Sequence, residues 1–205
     1  MPLHPTIALI EQRISANLFD AAHEMSDAEI EALVRLATRA PSAYNLQNWR
    51  FIAVRTAASK AKLRALAYGQ AKVSQASVTF IVCGVLPHAE TLRARLAPFV
   101  EAGHMTAETS SSWQAGAQAK YADPQDARDE AIRSASLGGA TLIYAAQALG
   151  FVSSAMSGFD AQGVAREFAL DADEVPVMLI PVGRAAPGNW PQKPRRPVSE
   201  VLEIA

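Results

Sequence analysis

The stretch from Asp126 to Leu149 constrains this chain most, because its apolar residues leave almost no polar face. Ala135, Leu137 to Leu142, Ala145, Ala146 and Leu149 surround the axis of one alanine-rich helix, which Gly150 ends as a natural C′ residue. Such a helix must be covered on most sides, so the fold has to be built around it. Two near-continuous apolar runs read as buried strands: Val78 to Leu86 (VTFIVCGVL) and Val175 to Gly183 (VPVMLIPVG). Pro181 suggests an edge or a bulge in the second. Trp49 to Arg55, rich in β-branched and aromatic residues, predicts a third strand.

Further helices fill the gaps between strands. Ile7, Ile10, Ile14 and Leu18 recur at helical spacing and predict a helix over 6–18. Ser26 and Glu29 form a capping box ahead of Ile30, Leu33, Val34 and Ala37, with Pro41 beyond the end. Residues 57–67 read as helical, as do 88–102, where Pro98 weakens or kinks the end. Asp160 caps a short helix that runs through Phe168. Between 103 and 125 the period fades, which fits either a lid or an ordinary connection. Strands separated by helices predict an α+β fold, a mixed central sheet flanked by helices around the long buried one, in a single domain over 1–205.

Charge and cysteine usage narrow the class of function. Nineteen basic against twenty acidic residues give a net charge of −1, against a non-specific binder of nucleic acid or membrane surface. No apolar stretch approaches the length of a membrane span, and the N-terminus shows no secretory pattern. Cys83, the single cysteine, lies in an apolar run and cannot pair within the chain, so a cytoplasmic protein with an inert core thiol is expected. Glycine-rich dinucleotide loops, GK[ST] loops, HExxH and GxSxG are absent, and His4, His23, His88 and His104 are scattered.

Three polar clusters remain: Arg13 to Asn17, Pro41 to Gln47, and Lys193 to Pro197. Arg13, Ser15, Lys193 and Arg195 would suit a phosphate monoester, which asks for two or three cations and a hydroxyl, provided the tail folds back over the first cluster. Solvated surface charge is the alternative reading.

Read in order, these clusters resemble one family. PSAYNLQNWRF (41–51) is similar to the loop-to-strand motif of FMN-dependent nitroreductases, and RISANLF (13–19) to their N-terminal R-x-S-x-(R/K)-x-F segment. Ser157-Gly158-Phe159-Asp160 resembles their flavin loop, and KPRRP (193–197) their basic tail. The resemblance spans residues 13–197. It implies a non-covalent FMN reduced by NADH or NADPH, an intertwined homodimer with shared sites, and a small-molecule acceptor.

By position it assigns Arg13, Ile14, Ser15, Lys193 and Arg195 to the phosphate and ribityl end. Pro41, Ser42, Ala43 and Asn45 would reach the flavin from the other subunit. Gln70 and Lys72 would meet the pyrimidine edge, and Ser157 and Gly158 the region of N5. Asn17 stands where the family commonly has a second cation and would serve as a hydrogen-bond donor. No side chain is then a chemical nucleophile, because the cofactor carries the difficult step. The implied activity is ping-pong reduction of nitroaromatics, quinones or activated alkenes. A specialised reductase of a semialdehyde or halogenated phenol is an alternative, as is an FMN-binding protein with a sensory or storage role. Segment 103–125 is the expected acceptor lid, and residues 187–205 the C-terminal arm that packs on the neighbour.

Overall fold

A computed structural model describes residues 4–205. Helix α1 covers Pro5–Gln12, and α2 covers Asp27–Ala37 with the capping box in place: Glu29 N donates to Ser26 Oγ, and Ser26 N to Glu29 Oε2. Strand β1 (Trp49–Val54) leads to α3 (Ala57–Leu66), the single turn α4 (Lys72–Gln75) and β2 (Val78–Val85). Then come α5 (Leu92–Glu101), α6 (Ala107–Lys120), α7 (Pro124–Ala148), β3 (Val152–Ser153), α8 (Ala161–Glu167) and β4 (Glu174–Gly183).

The strands pair in the order β1-β2-β4-β3, every neighbour antiparallel. The expected mixed sheet is therefore corrected: among the described residues the one parallel element is a single bridge between Ser15 and Ser153. β2 is buried on both faces, as its continuous apolar run requires. Phe80, Val82, Ile180 and Val182 face Leu33 and Ala37 of α2 and Leu142 and Ala146 of α7. Ile81, Cys83 and Leu179 face Leu63 of α3 and Val164 of α8. Burial pushes the Cys83 thiol up to about 12, so it stays protonated and inert.

α7 ends in a Schellman motif. Phe151 N donates to Ala146 O and Gly150 N to Gln147 O, with Gly150 at φ +81°. Its Gly138 and Gly139 lie under Phe51 and Met178, so the helix backbone rests close to the sheet. Yet Leu137 and Tyr144 stay about 40% exposed within one chain. The all-round apolar pattern thus has two causes, a core face and an outer stripe.

Three further expectations are corrected. The helix predicted over 6–18 stops at Gln12, and the chain turns extended at Arg13 (ψ 128°). Ala16 N then donates to Ser153 O and Asp20 N to Arg184 O, so pairing at the sheet edge wins over helical period. The expected helix over 88–102 is present: a short turn at Ala89–Thr91 leads into α5, which runs past Pro98 to Glu101 with only the Ala94 carbonyl left without its intrahelical donor. Segment 103–125 is not irregular. It is mostly α6, started by Thr106, whose Oγ1 accepts from Thr109 N at 3.0 Å, with Glu108 in the first turn and Lys120 in the last. Finally, Pro181 lies on an interior strand. Its carbonyl accepts from Ser154 N, so its missing N–H faces β3, where pairing is only two residues long; the register shift falls at Val82/Cys83 instead.

The excursion α5–α6 is clasped to the sheet at its root. His88 Nε2 lies 2.6 Å from Asp173 Oδ2, and its Nδ1 lies 3.2 Å from Glu90 Oε1. The hydrogen bond to Asp173 raises the His88 pKa; partial burial opposes this, and the charges of Asp173 and Glu90 reinforce it. A folded pKa above the unfolded one, 6.5, means that the stabilisation is complete below about pH 6 and fades as pH rises through the folded value. His88→Gln should therefore narrow the gap to wild type from pH 5.5 to pH 8.5 in urea titrations. The change should stay under about 1 kcal/mol, because the ring is half exposed. A gap that widens with pH would contradict the clasp.

Candidate active site

The extended segment after α1 and the C-terminal tail meet beside β3. The tail does fold back: Gln192 Nε2 donates to Arg13 O at 3.0 Å, and Asn189 Oδ1 accepts from Asn17 N at 2.7 Å. Ser15, Lys193 and Arg195 consequently line one small cleft of about 30 Å³, together with Trp190 and Gln192. Arg13 Nη1 lies 3.5 Å from Ser15 Oγ. The bridge from Ser15 to Ser153 sets the neighbouring Ser154 close by, and Lys72 Nζ donates to Ser154 Oγ at 3.0 Å.

Four cations thus lie along two neighbouring serines: Arg13, Lys193 and Arg195 by Ser15, and Lys72 on Ser154. Burial lowers the Lys72 pKa, and the charge of Lys193 lowers it further, so these two ammonium groups feel each other. Among the described residues, Arg13, Lys72, Lys193 and Arg195 have no carboxylate within ion-pair distance. Arg196, next along the chain, is instead paired with Glu200 at 3.0 Å. Like charges collected without counter-ions raise the energy of the bare chain and favour an anion, which is what a phosphate monoester would supply.

A second polar edge adjoins the loop after β3. Gln70 Nε2 donates to Gly158 O at 3.0 Å and to Ala67 O at 3.2 Å. Both of its N–H groups are spent, so Oε1 is left to accept from a ligand N–H. Gly158 has an ordinary φ, and an added Cβ would meet nothing nearer than Gln70 Nε2 at 3.6 Å. The fold itself does not demand glycine there; close approach of a flat ligand would. Ser157 precedes it, and its carbonyl accepts from Phe159 N. These groups suit the donor and acceptor pattern of an FMN: cations and a hydroxyl for the phosphate, an acceptor for the pyrimidine N–H, and open backbone for the ring.

The third cluster stands apart. Tyr44, Asn45 and Gln47 adopt left-handed backbone (φ 53°, 59° and 48°), a strained run for residues other than glycine. Ser42 Oγ accepts from Gln47 N at 2.9 Å, and Arg95 donates to Leu46 O. Leu46 and Ala43 pack with Ala89, Leu92 and Ala117, and the Tyr44 ring stands edge-on to Trp113 and Tyr121. Within one chain no hydrogen bond among the described residues joins Pro41, Ser42, Ala43 or Asn45 to the cationic cluster. Ile14 and Asn17 are half-buried beside that cluster.

Sequence reasoning missed Ser154, Asn189 and Gln192. Only Asn189 left a trace, as an asparagine after glycine in a proline-rich tail, a pattern that marks a held turn. A larger hollow of about 530 Å³ lies on the outer side of α3. It is an open groove floored by alanines, and its cations already serve carbonyls: Lys60 that of Ala76, Arg64 that of Gly69. In the smaller cleft Lys193 and Arg195 have no carboxylate partner among the described residues.

Known proteins resemble this chain in sequence and in fold. The profile described as the nitroreductase family matches residues 10–184, which leaves Lys193 and Arg195 attached to the site by geometry alone. YodC of Bacillus subtilis (strain 168), which bears an NAD(P)H nitroreductase name, is 34% identical over 197 residues, covering 96% of each chain. The CLA biosynthesis enone reductase of Lactiplantibacillus plantarum is 30% identical over 179 residues, 85% of this chain and 82% of its own. The crystal structure of a nitroreductase in complex with FMN from Exiguobacterium sibiricum 255-15 superposes with a TM-score of 0.89 at 25% identity, covering 100% of this chain and 99% of that one. No described helix is long and apolar enough to cross a membrane. A family profile over most of the chain, a relative matched end to end and a shared fold agree: the chain belongs to the nitroreductase family.

Proposed function

We propose that this protein is an FMN-dependent NAD(P)H oxidoreductase that passes electrons to nitroaromatics, quinones or activated alkenes in a ping-pong cycle. The observation that carries the reading is the set of four cations, without carboxylate partners among the described residues, beside Ser15 and Ser154. Arg13, Ser15, Lys193 and Arg195 hold the phosphate, with Ile14 and Asn17 along the ribityl chain. Gln70 Oε1 accepts from the pyrimidine N–H. Lys72, steadied by Ser154, sets positive charge where negative charge gathers during reduction. Ser157 and Gly158 leave room for the ring. When bound, the FMN supplies hydride acceptance and donation; the chain supplies placement, electrostatics and exclusion of water.

The site takes a second copy of the chain to complete it. Pro41, Ser42, Ala43 and Asn45 come from the partner, and α6 with Trp113 walls the acceptor side. The exposed Ile7, Ile10, Leu137 and Tyr144, and Val198, Val201, Leu202 and Ile204 of the tail, supply the apolar interface. An intertwined pair of this kind buries more than roughly 2,000 Å².

The test is optical. The purified protein should be yellow, sediment as a dimer, bleach anaerobically with NADH or NADPH, and recover its colour when an electron-poor acceptor is mixed in. A colourless protein that cannot be reconstituted with FMN sinks the reading. A yellow one that neither nucleotide bleaches is a flavin-binding protein instead.

A further inference from the structure

The phosphate cluster is assembled from two ends of the chain, and one side chain ties them together. Asn189 Oδ1 accepts from Asn17 N at 2.7 Å and from Leu18 N at 3.1 Å. Its Nδ2 donates to Leu18 O at 2.8 Å and to Ala186 O at 3.0 Å. A primary amide offers two donors and two acceptor lone pairs, so every one is used. Three of the four bonds cross from the tail to the segment that bears Arg13 and Ser15. Gly188 makes the turn possible: its φ is +95°, and a Cβ there would press on Leu18 Cδ1 at 3.2 Å.

Beyond Asn189 the tail is held to the body by little else. Gln192 donates to Arg13 O, and after it the bonds turn inward: Arg195 Nη1 to Lys193 O at 2.7 Å, Arg196 to Glu200. Pro187, Pro191, Pro194 and Pro197 stiffen the strand between these points by fixing φ. A stiff segment transmits the orientation of its anchor. The setting of Asn189 therefore decides where Lys193 and Arg195 arrive relative to Ser15.

We propose that Asn189 is a positioning residue that staples the C-terminal strap across residues 17–18 and so completes the phosphate-binding half of the site. The proposal rests on the reading that this cluster holds the FMN phosphate. It separates from a merely structural role by a chemical difference between two probes: riboflavin carries the same ring and ribityl chain without the phosphate. Loss of the staple should weaken only what the strap recognises.

Titration of full-length apo-protein with FMN and with riboflavin tests this. Asn189→Ala should weaken FMN at least about tenfold and riboflavin less than about twofold, collapsing the preference for the phosphorylated form. In that background Arg195→Ala should cost much less than it does in the wild-type chain, because the guanidinium is already misplaced. Gln192→Ala, which removes one exposed bond, should shift the same ratio less and serves if the first variant folds poorly. Equal losses of FMN and riboflavin in both variants, or an undiminished Arg195 effect, would overturn the proposal. A wild-type chain that takes up neither flavin would instead overturn the functional reading, and the staple's role with it.

Discussion

Arg195→Ala weakens FMN binding by roughly 10- to 150-fold, while Arg196→Ala changes it less than about twofold: this is the expected result of removing the same charge from adjacent positions. A charge-assisted contact to a phosphate is worth about 1.5–3 kcal/mol, which sets the first range. Arg195 has no carboxylate partner among the described residues, spends Nη1 on the carbonyls of Lys193 and Pro194, and lines the cleft with Ser15. Arg196 is neutralised by Glu200, and exposed pairs usually contribute under about 1 kcal/mol. Long-range attraction would weaken both variants alike; a specific clamp weakens one. FMN titrations of the two apo-proteins at moderate salt separate these cases, and equal losses would show that the tail is not the clamp.

Gly84→Ala is expected to be the most damaging single methyl in the fold. Gly84 stands on β2 opposite Trp49 and Val175, and an added Cβ would collide with the backbone carbonyl of Ala131 in α7. A flexible side chain could swing aside; a helix carbonyl in mid-helix cannot. Relief requires moving α7, a helix of 25 residues, away from the sheet that it covers. Overpacking costs typically 1–3 kcal/mol, and this case belongs at or beyond the top, a loss of about 100-fold or more in the folding equilibrium. Gly158→Ala is the control. Space there is open, so stability should hold within about 1 kcal/mol while flavin affinity falls. Denaturant titrations of the two variants decide it. A Gly84→Ala protein within about 1 kcal/mol of wild type would mean that α7 does not bear on β2 as described.

The candidate residues were legible one motif at a time, and their grouping was not. Gln70 and Gly158, singled out from two separate motifs, are joined by a hydrogen bond, and Ser15, Lys193 and Arg195 line one cleft. The four residues of the 41–45 loop were legible as a motif, but a single chain does not bring them to the cluster. Ser154 was invisible, because a serine in a loop carries no sign of the lysine 82 residues away that it will steady. α6 escaped because its seat is a few residues, Ser110 and Ala117 with Trp113 beside them, rather than an apolar stripe.

By itself the sequence determined what short-range physics governs. The capping box of α2, the glycine stop of α7, the Asp160 cap of α8 and the apolar strands β1, β2 and β4 each follow from residues within a few positions of one another. Only the tertiary structure decided the fate of residues 13–19 and of the tail. The spacing of Ile14 and Leu18 after Ile7 and Ile10 permits a longer helix, yet α1 buries none of its residues within the chain, so nothing rewards extending it. The edge of β3 offers backbone hydrogen bonds instead, and Asn189 brings back a strap from 172 residues away. Backbone groups are the same at every residue, so a partnership made through them leaves no mark in the local pattern.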